Sequence, residues 1–229
     1  KKIEMVSKIM ETQKPFYVVN ENANDLFIGI PFCPSRCSYC SFVSRTVEKD
    51  RSLVQPYVDC LCREVEKIHE QADKNAMHLK SIYIGGGTPT TLEPEQLDRL
   101  ITALKSKFDF STVKEFTVEA GRPDSITREK LEVLRKWGIT RISINPQTMQ
   151  QRTLDLIGRR HSVEQTVESF KMARELGFDD INMDLIMGLP EESLEDVRDT
   201  LEQIMQLKPD NLTVHSLALK RAARNARSL

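Results

Sequence analysis

Leu26-Phe27-Ile28-Gly29-Ile30-Pro31-Phe32-Cys33-Pro34-Ser35-Arg36-Cys37-Ser38-Tyr39-Cys40 is an apolar run that breaks into a loop carrying three cysteines. Residues 26–30 are apolar and rich in β-branched side chains, which predicts a buried strand. Pro31 and Pro34 end that strand and open a loop. The thiols follow at C-x₃-C-x₂-C spacing, with Tyr39 just before the third. Three thiolates on one loop, just past a strand end, can hold a soft metal centre. A closed structural zinc or iron–sulfur site wants four protein ligands, and the position after the third cysteine is Ser41. Two readings stay open at this point. One is a zinc site completed by a distant His or Cys; the other is a four-iron cluster on three thiolates, with one iron left free for chemistry.

The chain has 229 residues, which suits one large domain with a substantial core. Lys+Arg number 33 against 34 Asp+Glu, a net charge of -1 with no basic stripe, so nucleic acid is not an expected partner. No apolar run reaches membrane-spanning length and the first residues do not read as a secretory signal, so no membrane partner is expected. Five cysteines, three of them crowded on one loop, suit a reducing, cytoplasmic compartment better than a disulfide scaffold. Cys60 and Cys62 fall in a helical stretch and read as buried, inert thiols. The chain starts Lys-Lys and stops on a frayed basic run. The expected layout is a lead-in over 1–25, a core domain over 26–220 and a tail over 221–229, with a carboxyl-terminal domain of a longer protein absent.

Past the cysteine loop, strand-like and helix-like stretches alternate. Strands are predicted at 81–84, 115–119, 141–144, 180–185 and 211–216, and helices at 53–70, 94–107, 127–137, 163–176 and 194–207. Glu93-Pro94, Ser125, Thr127 and Ser162 are helix-start signals, and Gly138 and Gly177 fit the positions just past helix ends. Such alternation implies a parallel sheet with right-handed crossovers. The economical solution is α/β, an open (β/α)6 TIM-like partial barrel; a doubly wound flat sheet is the alternative.

The unusual polar residues gather at the carboxyl ends of these strands, where βα barrels build active sites. Gly85-Gly86-Gly87-Thr88-Pro89 follows the second strand and lets a ligand approach bare backbone, the bland alternative being a flexible turn. No Gly-Lys-Ser/Thr follows, so it is not a P-loop. Glu119 ends the third strand; if buried it needs hydrogen-bond donors, which ribose hydroxyls would supply, and if exposed it is a plain strand end. Asn145 and Gln147 follow the fourth strand, and the Gln147 amide both donates and accepts. Arg159 can pair with a carboxylate, while Arg160 and His161 read as a solvated basic turn. Asp184 is an anion in the apolar strand of Asp184-Leu185-Ile186-Met187-Gly188-Leu189-Pro190 and needs a ribose or arginine partner. His215 to Ala218 close the sixth strand.

The cysteine spacing with Tyr39 resembles the radical S-adenosylmethionine (radical SAM) superfamily. Together with GGGTPT, Thr117-Val118-Glu119-Ala120, Ser143-Ile144-Asn145-Pro146-Gln147 and DLIMGLP, it closely resembles the oxygen-independent coproporphyrinogen III oxidase (coproporphyrinogen dehydrogenase) family. The resemblance runs over about 27–220, and Glu119-Ala120-Gly121-Arg122-Pro123-Asp124 looks most like its HemZ-like branch. It implies that Cys33, Cys37 and Cys40 hold a 4Fe-4S cluster whose open iron chelates S-adenosyl-L-methionine (SAM). Gly86 and Glu119 would line that SAM. Tyr39, Gly87, Thr88, Gln147, Arg159, Asp184 and Ala218 match positions lining a second SAM. The implied reaction takes a hydrogen from a propionate of coproporphyrinogen III, and loss of CO₂ and an electron then leaves a vinyl group, in haem biosynthesis. The implied partners are a tetrapyrrole (coproporphyrinogen III or haem) and a reducing electron donor such as flavodoxin or ferredoxin. A haem-binding chaperone on the same barrel, or methylation or ring opening of a tetrapyrrole, are the rival readings. Two segments depart from the family: Phe27 and Gly29 stand where a tyrosine and a histidine are usual, and Ser41 stands where a further cysteine is usual. Both departures bear on tetrapyrrole oxidation and the second SAM, and leave SAM cleavage intact in principle.

Overall fold

The computed structural model describes residues 2–14, 22–42 and 45–218. Along the chain run α1 (Lys2–Gln13), β1 (Ala23–Ile30), β2 (Phe32–Cys33), β3 (Arg45–Thr46), α2 (Val47–Lys74), β4 (His78–Gly86) and α3 (Pro94–Lys107). Then come β5 (Glu115–Gly121), α4 (Arg128–Lys136), β6 (Arg141–Gln147), α5 (Gln151–Leu156), α6 (Val163–Glu175), β7 (Ile181–Met187), α7 (Leu194–Leu207) and β8 (Asn211–Ser216). Six strands form one parallel sheet in the order β1-β4-β5-β6-β7-β8, and β2 pairs with β3 beside it.

That order never reverses. A doubly wound sheet needs a reversal to put helices on both faces. Right-handed crossovers without one place the helices on a single face. The flat alternative is therefore excluded, and the sheet is an open (β/α)6 partial barrel.

Strand alternation separates the two faces. Ile82, Ile84, Phe116, Val118, Ile142, Ile144, Ile181, Met183 and Leu185 are buried in one core with Leu97, Leu100, Ile101, Leu104, Leu131 and Leu134 of the outer helices. The intervening positions Thr117, Glu119, Ser143, Asn145, Asn182, Asp184, Thr213 and His215 are polar. A closed barrel fills its interior with branched apolar side chains. Here the inner face is a polar wall, which leaves room for a ligand.

Most predicted elements have their expected places, and β4, β5, β6 and α2 run past their expected ends. Ser162 caps α6 reciprocally: its Oγ accepts from Gln165 N at 3.2 Å and its own N–H donates to Gln165 Oε1 at 2.9 Å. Thr127 caps α4, whereas Ser125 belongs to a 3₁₀ turn, Pro123–Ser125, and caps no α-helix. Gly138 and Gly177 take left-handed conformations past α4 and α6. α2 starts six residues earlier than predicted and runs through Pro56, because Val54, Val58, Leu61 and Val65 form one buried stripe that outweighs the missing N–H. Two thiols need correction: Cys60 is exposed, on the far side of that stripe, and Cys62 is half-buried. His161 also departs from expectation. It is fully buried, while Arg160 stays exposed and pairs with Glu48 at 3.3 Å. The expected lead-in contains α1, which was not foreseen, and β1 begins at Ala23 rather than 26. The expected tail over 221–229 lies outside the described residues, as do residues 219 and 220.

Candidate functional site

The cysteine loop is held from several sides. Gly87 N donates to Ile30 O and Thr88 N to Phe32 O, both at 2.7 Å, so the end of β4 runs against the backbone leading into Cys33. A Cβ on Gly87 would sit 2.6 Å from Phe32 O and 3.1 Å from Cys33 Sγ. The missing side chain therefore serves the chain's own loop. Gly86 has φ +105, a conformation open to glycine at little cost. Farther along, Ser38 N donates to Ile157 O at 2.9 Å and Ser35 Oγ to Gly158 O at 3.1 Å. Tyr39 packs on the small apolar cluster of Leu154, Ile157, Ile186 and Leu189.

These anchors aim the thiols into a cavity of about 480 Å³. Cys33, Cys37, Tyr39, Cys40, Gly86, Gly87, Thr88, Glu119, Gln147, Arg159 and Asp184 all line it. Ala218 does not: it is exposed, two residues past β8. The volume falls in the range of pockets for cofactors and small molecules.

A polar ladder crosses the wall. Asn145 Nδ2 donates to Glu119 Oε1 at 3.1 Å, Ser143 Oγ to Asn145 Oδ1 at 2.6 Å, and Asn182 Nδ2 to Ser143 Oγ at 3.0 Å and Asp184 Oδ1 at 2.7 Å. Asp184, expected to need a ribose or an arginine, thus has an asparagine partner within the sheet. Burial, reinforced by Asp184, pushes the Glu119 carboxyl up to about 7, against the pull of the Gly86 N–H, Asn145 and Arg159. Burial likewise pushes Tyr39 up to about 12, with Arg159 opposing. Arg159 donates to Asn145 O and to the Tyr39 hydroxyl, the latter at 3.2 Å.

Two orphaned polar atoms mark where a ligand is wanted. Gln147, in a left-handed conformation at φ 73, has a buried Oε1 without a partner, and so has Arg159 at Nε. Buried polar atoms are rarely left so. A cation, hydroxyl or amide would satisfy the first, and an anion the second. Among the described residues no three His, Cys, Asp or Glu side chains converge on a single-ion site. A lone zinc would draw its thiolates to about 2.3 Å from one point. Three thiols on one loop lining one cavity suit a cluster, where each binds a different metal atom. The donor set and the orphaned atoms therefore fit a cluster with a polar organic ligand beside it.

Sequence reasoning missed Arg122, which is buried, and Tyr83 as cavity residues, and it placed His215 on the strand-end face without giving it a role. Arg122 stood inside a quoted string without a role, and only the turn after Gly121 (φ 71) shows which way it faces.

The radical SAM superfamily model matches residues 27–204. The chain is 42% identical over 226 residues to the oxygen-independent coproporphyrinogen-III oxidase-like protein HemZ of Bacillus subtilis, covering 98% of the chain and 45% of that protein. It is 37% identical over 198 residues to the heme chaperone HemW of the same organism, covering 85% of the chain and 50% of that protein. The solved structure of coproporphyrinogen III oxidase (HemN) from Escherichia coli superposes with a TM-score of 0.80 at 30% identity, over 88% of this chain and 46% of that one. The chain thus spans about half the length of these relatives.

Proposed function

Because the chain belongs to the radical SAM superfamily, whose members use a 4Fe-4S cluster and SAM, we propose that it forms the radical-generating part of an enzyme that oxidatively decarboxylates the propionates of coproporphyrinogen III to vinyl groups. Bound cluster and SAM supply a 5′-deoxyadenosyl radical able to abstract a substrate hydrogen. The chain's own residues do the rest. Cys33, Cys37 and Cys40 hold the cluster, and Gly86 and Glu119 line SAM, with the Glu119 carboxylate accepting from ribose hydroxyls. Tyr39, Gly87, Thr88, Gln147, Arg159 and Asp184 line the remaining cavity and receive a second SAM or the substrate; Ala218 joins them only if the segment after β8 folds inward. The protein's part is positioning and exclusion of water, while the cofactors carry the radical chemistry.

The observation that carries the reading is the convergence of the thiol loop and the ends of β4 to β7 on one cavity. The exposed, stacked pair Phe27 and Tyr83, ring centroids 6.0 Å apart, offers a flat apolar face for a macrocycle. A flavodoxin or ferredoxin in the cytoplasm would supply electrons. A haem chaperone is the second reading. The 37% identity to HemW favours it, and Gly29 puts no acid–base group at the cavity end of β1.

Anaerobic reconstitution of the full-length protein, with SAM and coproporphyrinogen III, tests the proposal by mass spectrometry of products. Successive losses of CO₂ and hydrogen are expected. Tight haem binding without a SAM-dependent product would move the assignment to the chaperone. A methylated or ring-opened product would establish a different radical reaction.

A further inference from the structure

Arg122 directly follows β5 and is 3% exposed. Its donors are almost fully assigned. Nε and Nη2 clasp Asp124 side-on at 2.9 and 2.7 Å. Nη1 faces the cysteine loop, donating to Ser35 Oγ at 2.6 Å and Ser35 O at 3.1 Å, with Cys37 Sγ at 3.9 Å. Ser35 is itself tied to Gly158 O, so the guanidinium and the turn after α5 grip the loop from two sides. Asp124 takes one edge of the planar guanidinium, and the other edge is turned to the sulfur.

We propose that Arg122 is a positioning residue that fixes the loop between Cys33 and Cys37 through Ser35 and raises the reduction potential of the cluster through the N–H and positive charge it directs at Cys37 Sγ. The inference rests on placing the cluster at the three thiols. Hydrogen bonds to ligand sulfurs and nearby charge stabilise the reduced, more negative cluster. In a buried site with little solvent to screen it, one guanidinium at this distance matters. Asp124 opposes the effect from the far edge, so the two residues have opposite signs. Arg159 and Tyr39 also face Cys37, and neither is altered in the test.

The test is redox titration of the anaerobically reconstituted chain by electron paramagnetic resonance, with iron content measured in parallel. Arg122→Gln is expected to keep its iron and bind an electron at least tenfold less well, a shift of about 59 mV to lower potential for one electron. Asp124→Asn removes the opposing charge and is expected to shift the potential upward. A loss of packing alone would not give shifts of opposite sign. If Arg122→Gln does not fold, Asp124→Asn decides alone: an upward shift supports the proposal, and an unchanged or lower potential overturns it. Wild-type protein that binds no cluster would instead overturn the placement at the thiols.

Discussion

Glu119 is the residue whose charge the site must manage. Its carboxyl, raised to about 7 by burial and Asp184, is half-protonated near neutrality in the ligand-free chain. An acceptor for ribose hydroxyls works best ionised, so SAM affinity is expected to rise between pH 6 and 8 as the cost of deprotonation vanishes. Glu119→Gln should flatten that dependence in calorimetric titrations. Glu119→Ala should keep its iron and lose about tenfold or more in affinity, since a charged hydrogen bond contributes about 1.5–3 kcal/mol. His161 has the opposite sign. Burial and the nearby Arg159 lower its pKa from 6.5 to about 3. The unfolded chain therefore binds a proton that the folded chain refuses, and stability falls as pH drops from about 6.5 towards 3. Replacing it with Asn should remove that acid-side slope in urea titrations, whatever it costs at pH 7.

At the scale of elements, sequence and structure agree where local chemistry decides. Pro94 and Ser162 start helices that end within a residue or two of expectation, and Ser162→Ala should cost about 1 kcal/mol in chemical denaturation through loss of its cap. The thiol loop and the Gly85–Gly87 segment were legible because spacing and missing side chains are written in the chain itself. What was not legible depends on distant partners. His161 looks solvated beside Arg159 and Arg160, and only the packing of the turn after α5 buries it. Cys60 looks buried because its helix is amphipathic, yet the stripe runs through Val58, Leu61 and Val65 and leaves it outside. The inner polar wall was seen only at strand ends, since its period-two pattern becomes a surface only when neighbouring strands bring Thr117, Ser143, Asn182 and Thr213 onto one face. Ala218 was matched by string alone, and the backbone there lies outside the cavity.

For the molecule as a whole, the decisive measurement is metal content. Reconstituted protein is expected to hold about four irons and four sulfides per chain. Cys33→Ala, Cys37→Ala or Cys40→Ala should each abolish this, and Cys60→Ala and Cys62→Ala should not. Zinc without iron after full reconstitution would refute the cluster. No described helix is long and apolar enough to cross a membrane.

A chain leaving the ribosome meets most of its partners in turn, because each strand of the six-stranded sheet pairs with the strand of that sheet made before it. The thiol loop is the exception. It is translated early, yet three of its anchors come from residues 122, 157 and 158. A nascent chain ending before residue 122 has its cysteines and none of the three anchors that shape them. Stalled chains of that length should bind iron poorly, and chains translated well past residue 159 should bind it well. That outcome would place cluster insertion in the later part of translation.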